Sequence, residues 1–295
     1  MKDGAKWTLD HLRKKRVDYA DIRVVHAEVE NLTVRNGRVE VLSSDQSSGF
    51  GVRVLNRGGW GFASSSETSE KSMRDVSESA LEIARSSLLL TKEPIRLSKE
   101  GPQVATYKTK VVEDPLLVPF SEKIDVLLEA DKSMKREERV KVSQAWMRFF
   151  KTKKLFLSTE GADIEQEIIE SGGGVSATAV DGDEVQVRSF EDYGTKGYEF
   201  IRDLLLGAKA QKVASEALDL LRAPECPSKV TSLVIGGSQL ALQVHESCGH
   251  PIELDRVLGA EAGFYGTSFL TLDKLGGFRY GSEAVNIFAD ATIEG

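Results

Sequence analysis

The sequence predicts an α+β fold, with helix-backed antiparallel sheets in two N-terminal units and then the start of a further, β-rich domain. Three observations carry that prediction. Asn36-Gly37 sits between the runs Leu32–Arg35 and Arg38–Leu42, and Asn-Gly supplies the positive φ angles of a tight hairpin turn. Asp181-Gly182 separates Val175–Val180 from Glu184–Phe190 in the same way. Met73, Val76, Ala80, Ala84 and Leu88 recur at three- and four-residue spacing, the stripe of an amphipathic helix.

The first unit, residues 1–95, is read as a short helix over Ala5–Arg16 and a strand over Ala20–Glu28. Ile22, Val24 and His26 share one face of that strand. The Asn-Gly hairpin follows. A second hairpin bends at Arg57-Gly58-Gly59, between Gly51–Leu55 and Trp60–Ala63, and a helix runs over Glu70–Leu88. Thr91 to Pro119 holds four of the seven prolines, so 96–119 is read as a linker with one short strand near Lys108–Val112. The second unit, 120–222, opens at Ser121 as the N-cap of a helix carrying Ile124, Leu127, Leu128 and Met134. Strands are expected at Val140–Phe150, Lys154–Ser158, Ile164–Glu170, Val175–Val180 and Glu184–Phe190. Turns are expected at Glu160-Gly161, Gly172-Gly173-Gly174 and Asp181-Gly182. A long helix, Glu199–Leu221, closes the unit, and Ala223-Pro224-Glu225-Cys226-Pro227 marks a boundary. The third segment, 228–295, begins with a strand at Val230–Ile235. A helix opens after Gly236-Gly237-Ser238, and a last short strand is expected at Ala284–Phe288. About seventy residues are few for such a domain to close a core, and the segment is expected to be incomplete.

Composition limits the function. The chain has 295 residues, 40% of them hydrophobic and 29% charged, enough apolar content for a sizeable core and roughly two domains. A net charge of −7 argues against nucleic acid as a partner, which calls for a basic patch or stripe. The densest basic stretch, Lys132–Lys154, also contains Glu137 and Glu138 and reads as solvated faces. Two cysteines, Cys226 and Cys248, make no disulfide framework and fit a reducing compartment. The N-terminus lacks the apolar region of a signal peptide, and no apolar run approaches ~18 residues. A cytoplasmic protein with no membrane partner is expected.

Two of the four histidines fall in the string His245-Glu246-Ser247-Cys248-Gly249-His250, late in a helix expected from Ser238 to Cys248. Histidines four apart on a helix face one ion together. Positions five apart diverge by about 140° at 100° per residue. The sequence offers two remedies. Gly249 can take the left-handed conformation that ends a helix while Pro251 holds His250 extended, or a one-residue π-bulge can bring the rings together. Given convergence, His245 and His250 are ligands suited to zinc. Glu246 then serves as general base toward a water activated by the metal. A catalytic site of this type uses three protein ligands. Cys248 is sterically reachable as the third but crowds the same turn, and Glu253 and Asp255 are the acidic alternatives. The bland reading makes the two histidines ordinary helix-end residues and Glu246 a surface carboxylate. Elsewhere, His26 reads as a half-buried strand residue, His11 as exposed, and Trp60 and Trp146 as core. The glycine triplet lacks the Lys-Ser/Thr of a phosphate loop.

Several features together resemble the TldD/PmbA family, which comprises metalloproteases also described as modulators of DNA gyrase. They are Tyr19-Ala20-Asp21-Ile22-Arg23, the Asn36-Gly37 hairpin, Ser158-Thr159-Glu160-Gly161 with Glu165, and the His-Glu-x-x-x-His string continued by Pro251-Ile252-Glu253-Leu254-Asp255. The resemblance covers the whole chain, and the string makes it TldD-like. It implies His245 and His250 for metal, Glu246 for catalysis, and a third ligand, a cysteine, far downstream in the C-terminal domain. A chain ending at Gly295 is then expected to hold metal weakly. The resemblance further implies a dimer, with a PmbA-like partner subunit or with itself, around a channel that admits unfolded or small peptides. The expected function is therefore a metal-dependent peptidase. The alternative is a non-catalytic partner or scaffold subunit with a vestigial metal site. A DNA- or gyrase-binding regulator has little support from an acidic chain.

Overall fold

The computed structural model of the chain describes residues 1–89, 94–98, 101–260 and 262–290. The end of the expected first unit at 90–93, part of the expected linker at 99–100, residue 261 and the end of the third segment, 291–295, lie outside the described residues. Two compact units result, Met1–Ala223 and Pro224–Glu294.

In the first unit, α1 (Lys2–Lys14) buries Ala5, Thr8, Leu9 and Leu12, one stripe at helical spacing. Two long strands follow, β1 (Tyr19–Arg35) and β2 (Arg38–Asn56), then β3 (Gly59–Ser65) and α2 (Glu70–Ser87). Asn36 and Gly37 have φ of 50° and 78°, as the hairpin requires. Arg57 and Gly58, at 54° and 90°, make the second. The Ser69 side chain accepts the Ser72 N–H and starts α2. After β4 (Val104–Lys108) come α3 (Phe120–Met134), β5 (Val140–Ser158), β6 (Asp163–Asp181), β7 (Glu184–Gly194), α4 (Glu199–Leu204) and α5 (Leu206–Leu220). The seven strands form one sheet in the order β3-β2-β1-β5-β6-β4, with β7 also on β6. Every ladder is antiparallel except β4 on β6.

The two helix-backed halves thus share a single sheet, and each keeps its own core. Ala20, Ile22 and Val24 of β1 pack with Leu9, Met73, Ala80 and Leu157. Leu32 and Val34, further along β1, pack with Leu127, Met147, Phe149 and Val213. Side chains alternate faces along a strand, so these residues share one face and the cores lie side by side on it. Between them that face turns polar. The registers place His26, Lys153, Glu167 and Lys108 in line across β1, β5, β6 and β4, and Lys108 Nζ lies 3.0 Å from Glu167 Oε1.

Several expectations are corrected here. The segments Ala20–Glu28 and Leu32–Arg35 are one strand, as are Arg38–Leu42 with Gly51–Leu55 and Val140–Phe150 with Lys154–Ser158. Polar stretches interrupt the pattern, yet ladders continue through them and keep the backbone paired. Gly172-Gly173-Gly174 is not a turn but the middle of β6. A Cβ on Gly172 would lie 1.8 Å from the Tyr193 ring, and one on Gly174 would lie 2.4 Å from Trp146 and 2.5 Å from the Phe190 carbonyl. The missing side chains make room for rings from the neighbouring strands. Helix α3 has Pro119, not Ser121, at its N-cap, because a turn over Pro115–Leu117 capped by Asp114 delivers an extended chain to Phe120. The strand expected at Lys108–Val112 lies earlier, at β4, where it pairs with residues 163–167. The helix expected over Glu199–Leu221 breaks at Leu205, which is left-handed at φ 50°.

The second unit contains α6 (Gly237–Val244), a π-turn over His245–Gly249, a 3₁₀ turn over His250–Ile252 and α7 (Leu254–Val257). Neither Val230–Ile235 nor Ala284–Phe288 is a strand, since no described segment pairs with either. None of the described residues in this unit is buried.

Candidate metal centre

The His-Glu string begins where α6 gives way to the π-turn. The His250 N–H donates to the His245 carbonyl, a hydrogen bond between residues five apart. That bond stacks His250 directly over His245, which a regular helix cannot do. Their ring centroids are 4.4 Å apart at 72°. Of the two routes to convergence open in the sequence, the π-turn is the one used. Gly249 stays right-handed at φ −61°, ψ −62°, and His250 stays helical at φ −59°, ψ −41° despite preceding Pro251.

One ligand atom each from His245, Glu246 and His250 lies within 4.8 Å of the others, a grouping among the described residues that could hold a metal ion. Glu246 Oε1 is 3.9 Å from His245 Nε2, and its Oε2 is 4.0 Å from His250 Nε2. Two imidazoles and a carboxylate at this spacing fit a divalent ion as donor types. Cys248, which is half-buried, is not in the cluster. Glu253 is not a third ligand in this arrangement either, because its Oε1 sits 2.9 Å from His250 Nδ1, on the far side of the ring. Asp255 instead accepts the Arg256 N–H.

Sequence reasoning missed Arg256. Its Nε lies 2.6 Å from Glu253 Oε2, and the three-residue Glu-to-Arg spacing at a helix start was the signal for it. The hydrogen bond with His250 and the nearby Arg256 charge hold the Glu253 carboxyl below the usual carboxylate range. The turn is tied down by Ser268, whose Oγ donates to the Pro251 carbonyl at 2.6 Å and whose N–H donates to the Arg256 carbonyl at 3.2 Å. The Tyr280 hydroxyl donates to the Ser247 carbonyl.

The other histidines lie in the first unit. His26 is half-buried, 2.7 Å from Ser48 Oγ. His11, expected to be exposed, is half-buried as well. It stacks on Trp7 and meets Glu78 at 2.5 Å, which with Lys15 holds the Glu78 carboxyl below its ordinary range. Trp60 and Trp146, expected as core, are half-buried, with Trp60 edge-on to Tyr19 and under Arg53. Among the described residues no helix is long and apolar enough to cross a membrane.

Comparison with known proteins places this arrangement in context. The family model described as PmbA/TldA metallopeptidase domain 1 matches residues 20–84, and that of the PmbA/TldA metallopeptidase central domain matches 113–221. A metalloprotease of Methanocaldococcus jannaschii is 32% identical over 94% of this chain and 59% of its own length. One from Methanothermobacter thermautotrophicus is 27% identical over 95% of this chain and 58% of its own. The chain therefore spans somewhat over half the length of these relatives. The fold is also that of a modulator of DNA gyrase from Thermotoga maritima, with TM-score 0.61 and 21% identity over 77% of this chain and 50% of that one. It is likewise that of TldE from Thermococcus kodakarensis, with TM-score 0.51 and 16% identity over 74% and 47% of the two chains. A metallopeptidase family implies a divalent metal. With both family domains matched across more than half its length, the chain belongs to the PmbA/TldD family.

Proposed function

We propose that this chain carries the metal-binding string of a zinc peptidase that hydrolyses unfolded or small peptides. One observation carries the reading: the π-turn brings the ligand atoms of His245, Glu246 and His250 within 4.8 Å of one another. His245 and His250 would hold the ion, with a third ligand from outside the described residues. Zinc, when bound, supplies Lewis-acid activation of water and of the scissile carbonyl. Glu246 takes the proton from the attacking water and returns it to the leaving amine. Its side chain is 60% exposed, open to an incoming chain. Extended peptides suit strand addition, and the outer edge of β7 offers Val185 and Val187, each 55% exposed. A dimer, with a PmbA-like subunit or with a second copy, and a reducing cytoplasmic setting, in keeping with two free cysteines, complete the reading.

The open setting of the string, with the His245 and Glu246 side chains each 60% exposed and none of the described residues of its unit buried, favours a second reading, a scaffold subunit with a vestigial site. Glu246→Gln separates the two. On the peptidase reading it lowers peptide hydrolysis by ~10²-fold or more with metal content unchanged, whereas His245→Ala removes metal and activity together. Metal analysis paired with a fluorogenic peptide assay reads both. Hydrolysis that survives Glu246→Gln sinks the peptidase mechanism, and a wild type that takes up no metal and cleaves nothing favours the scaffold.

A further inference from the structure

We propose that Glu253 is a positioning residue for His250: it accepts the ring's Nδ1–H, so that Nε2 carries the lone pair toward His245 and Glu246, and Arg256 holds it there. This rests on the metal-site reading above.

The geometry supplies each step. Glu253 Oε1 lies 2.9 Å from Nδ1 of His250. An ionised carboxylate only accepts, so a bare Nδ1 would set two lone pairs against each other at that distance. Arg256 competes for the same nitrogen, with Nη2 3.3 Å from Nδ1, and a donation from Arg256 would require the opposite tautomer. The shorter contact and the stronger acceptor decide for Glu253. Arg256 is already engaged, with Nε 2.6 Å from Glu253 Oε2, and its planar guanidinium fixes the carboxylate rather than the ring. The tautomer that results leaves Nε2, the nitrogen 4.0 Å from Glu246 Oε2, free to bind an ion.

The assembly is local. Glu253 initiates α7 from the N-cap position, and its φ of −62° and ψ of 122° turn the chain so that its side chain falls back beside His250. The His250 and Arg256 side chains are 29% and 21% exposed, against 60% for His245 and Glu246. Histidine ligands elsewhere are oriented by such carboxylates, whose loss costs 10–100-fold in metal affinity. His245 has no comparable partner in the cluster, so orientation of the pair falls to His250.

The test uses the chain with zinc as the probe, and two readouts. Two-bond ¹H–¹⁵N correlation of the imidazoles reports the His250 tautomer without metal. Competition with a chromophoric chelator reports zinc affinity. The wild type is expected to show the Nδ1–H tautomer at His250. Glu253→Ala should lose that tautomer and weaken zinc binding about tenfold or more. Glu253→Gln keeps an accepting oxygen, so it should retain the tautomer and lose less affinity. Arg256→Met should do the same. An Nε2–H tautomer in the wild type, a Glu253→Ala chain with its tautomer unchanged, or a tautomer change that leaves zinc affinity intact overturns the proposal. If the wild type takes up no zinc, the metal-site reading fails on its own, and the tautomer of Glu253→Ala still decides whether Glu253 positions the ring. Both side chains reach the surface, and circular dichroism checks that each variant folds.

Discussion

Nζ of Lys123 lies 2.5 Å from Oε2 of Glu30, with the lysine side chain 0% and the glutamate 8% exposed. The ammonium also sits 4.8 Å from the centroid of the Phe149 ring and 5.2 Å from that of Phe120. The pair pins α3 to the middle of β1, where the sheet face changes from polar to apolar.

Breaking that pair from one side leaves a buried, uncompensated charge. Lys123→Met should cost roughly 3–5 kcal/mol, read as a fall in the urea midpoint. Lys123→Met with Glu30→Leu replaces both charges and should recover most of the loss. A double variant as unstable as the single one would show that shape, not charge, holds this contact.

Within the string, two substitutions should be tolerated. A Cβ on Gly249 meets the Val244 carbonyl oxygen at 3.9 Å, an ordinary contact, and the residue is right-handed. Gly249→Ala should therefore keep zinc affinity within about twofold, since Ala favours the helical backbone Gly249 already has. Cys248→Ser should leave it unchanged too, because Cys248 stands outside the cluster. A large loss from Cys248→Ser would bring the thiol back as a ligand.

Gly174 is the contrasting case. Its Cβ would press on the Trp146 ring and on the Phe190 backbone oxygen, and the backbone of a paired strand cannot give way cheaply. Gly174→Ala should cost about 1–3 kcal/mol, measured by thermal or urea unfolding. An unchanged midpoint would mean that β7 shifts freely over β6.

Acid should weaken the α4 end of the first unit. Burial alone would raise the Glu199 carboxyl, but its own N–H and those of Gly197, Val112 and Glu113 carry it below the ordinary range. The bonds from Gly197, Val112 and Glu113 measure 2.9, 3.2 and 3.2 Å. Because the folded value is lowered, the stabilisation is complete above the unfolded value, about 4.3. It is lost as pH falls through the lower folded value. Glu199→Gln should be less stable at neutral pH and should flatten the decline below about pH 4.3, as followed by urea midpoints across the acid range. A variant whose acid decline stays as steep as the wild type's would assign that decline to other carboxylates.

Turns and helix faces were legible in the sequence, and strand continuity was not. Asn36-Gly37 and the stripe from Met73 to Ala84 are local signals, and local geometry follows them. The join between the halves of β1 is tertiary. His26 and Glu28 interrupt the apolar alternation because the face between the two cores is polar, while the β2 and β5 ladders hold the backbone regardless. The Gly172–Gly174 run read as a turn because the rings that fill its space come from β5 and β7. At the candidate site the residue set was legible, as was the need for a special backbone. The choice of the π-turn over a left-handed Gly249 was not, since both conformations suit the same residues. Arg256 emerges only once Glu253 is seen to face His250 and not the ion.

The long strands also set an order of events during synthesis. β1 lies inside the finished sheet, yet its neighbour β5 is translated only after β2, β3, α2, β4 and α3, so Asp21 must wait for Ser158, its register partner. Until then one side of β1 is an open edge with unpaired N–H and C=O groups, a template for pairing with another chain. A nascent chain, or one released early near Ser87, carries α1, α2 and the first hairpins but leaves that edge bare. Its exposure ends only when β5 zips along the full length of β1, so the sheet closes late, and the second core waits longer still for β6 and α5.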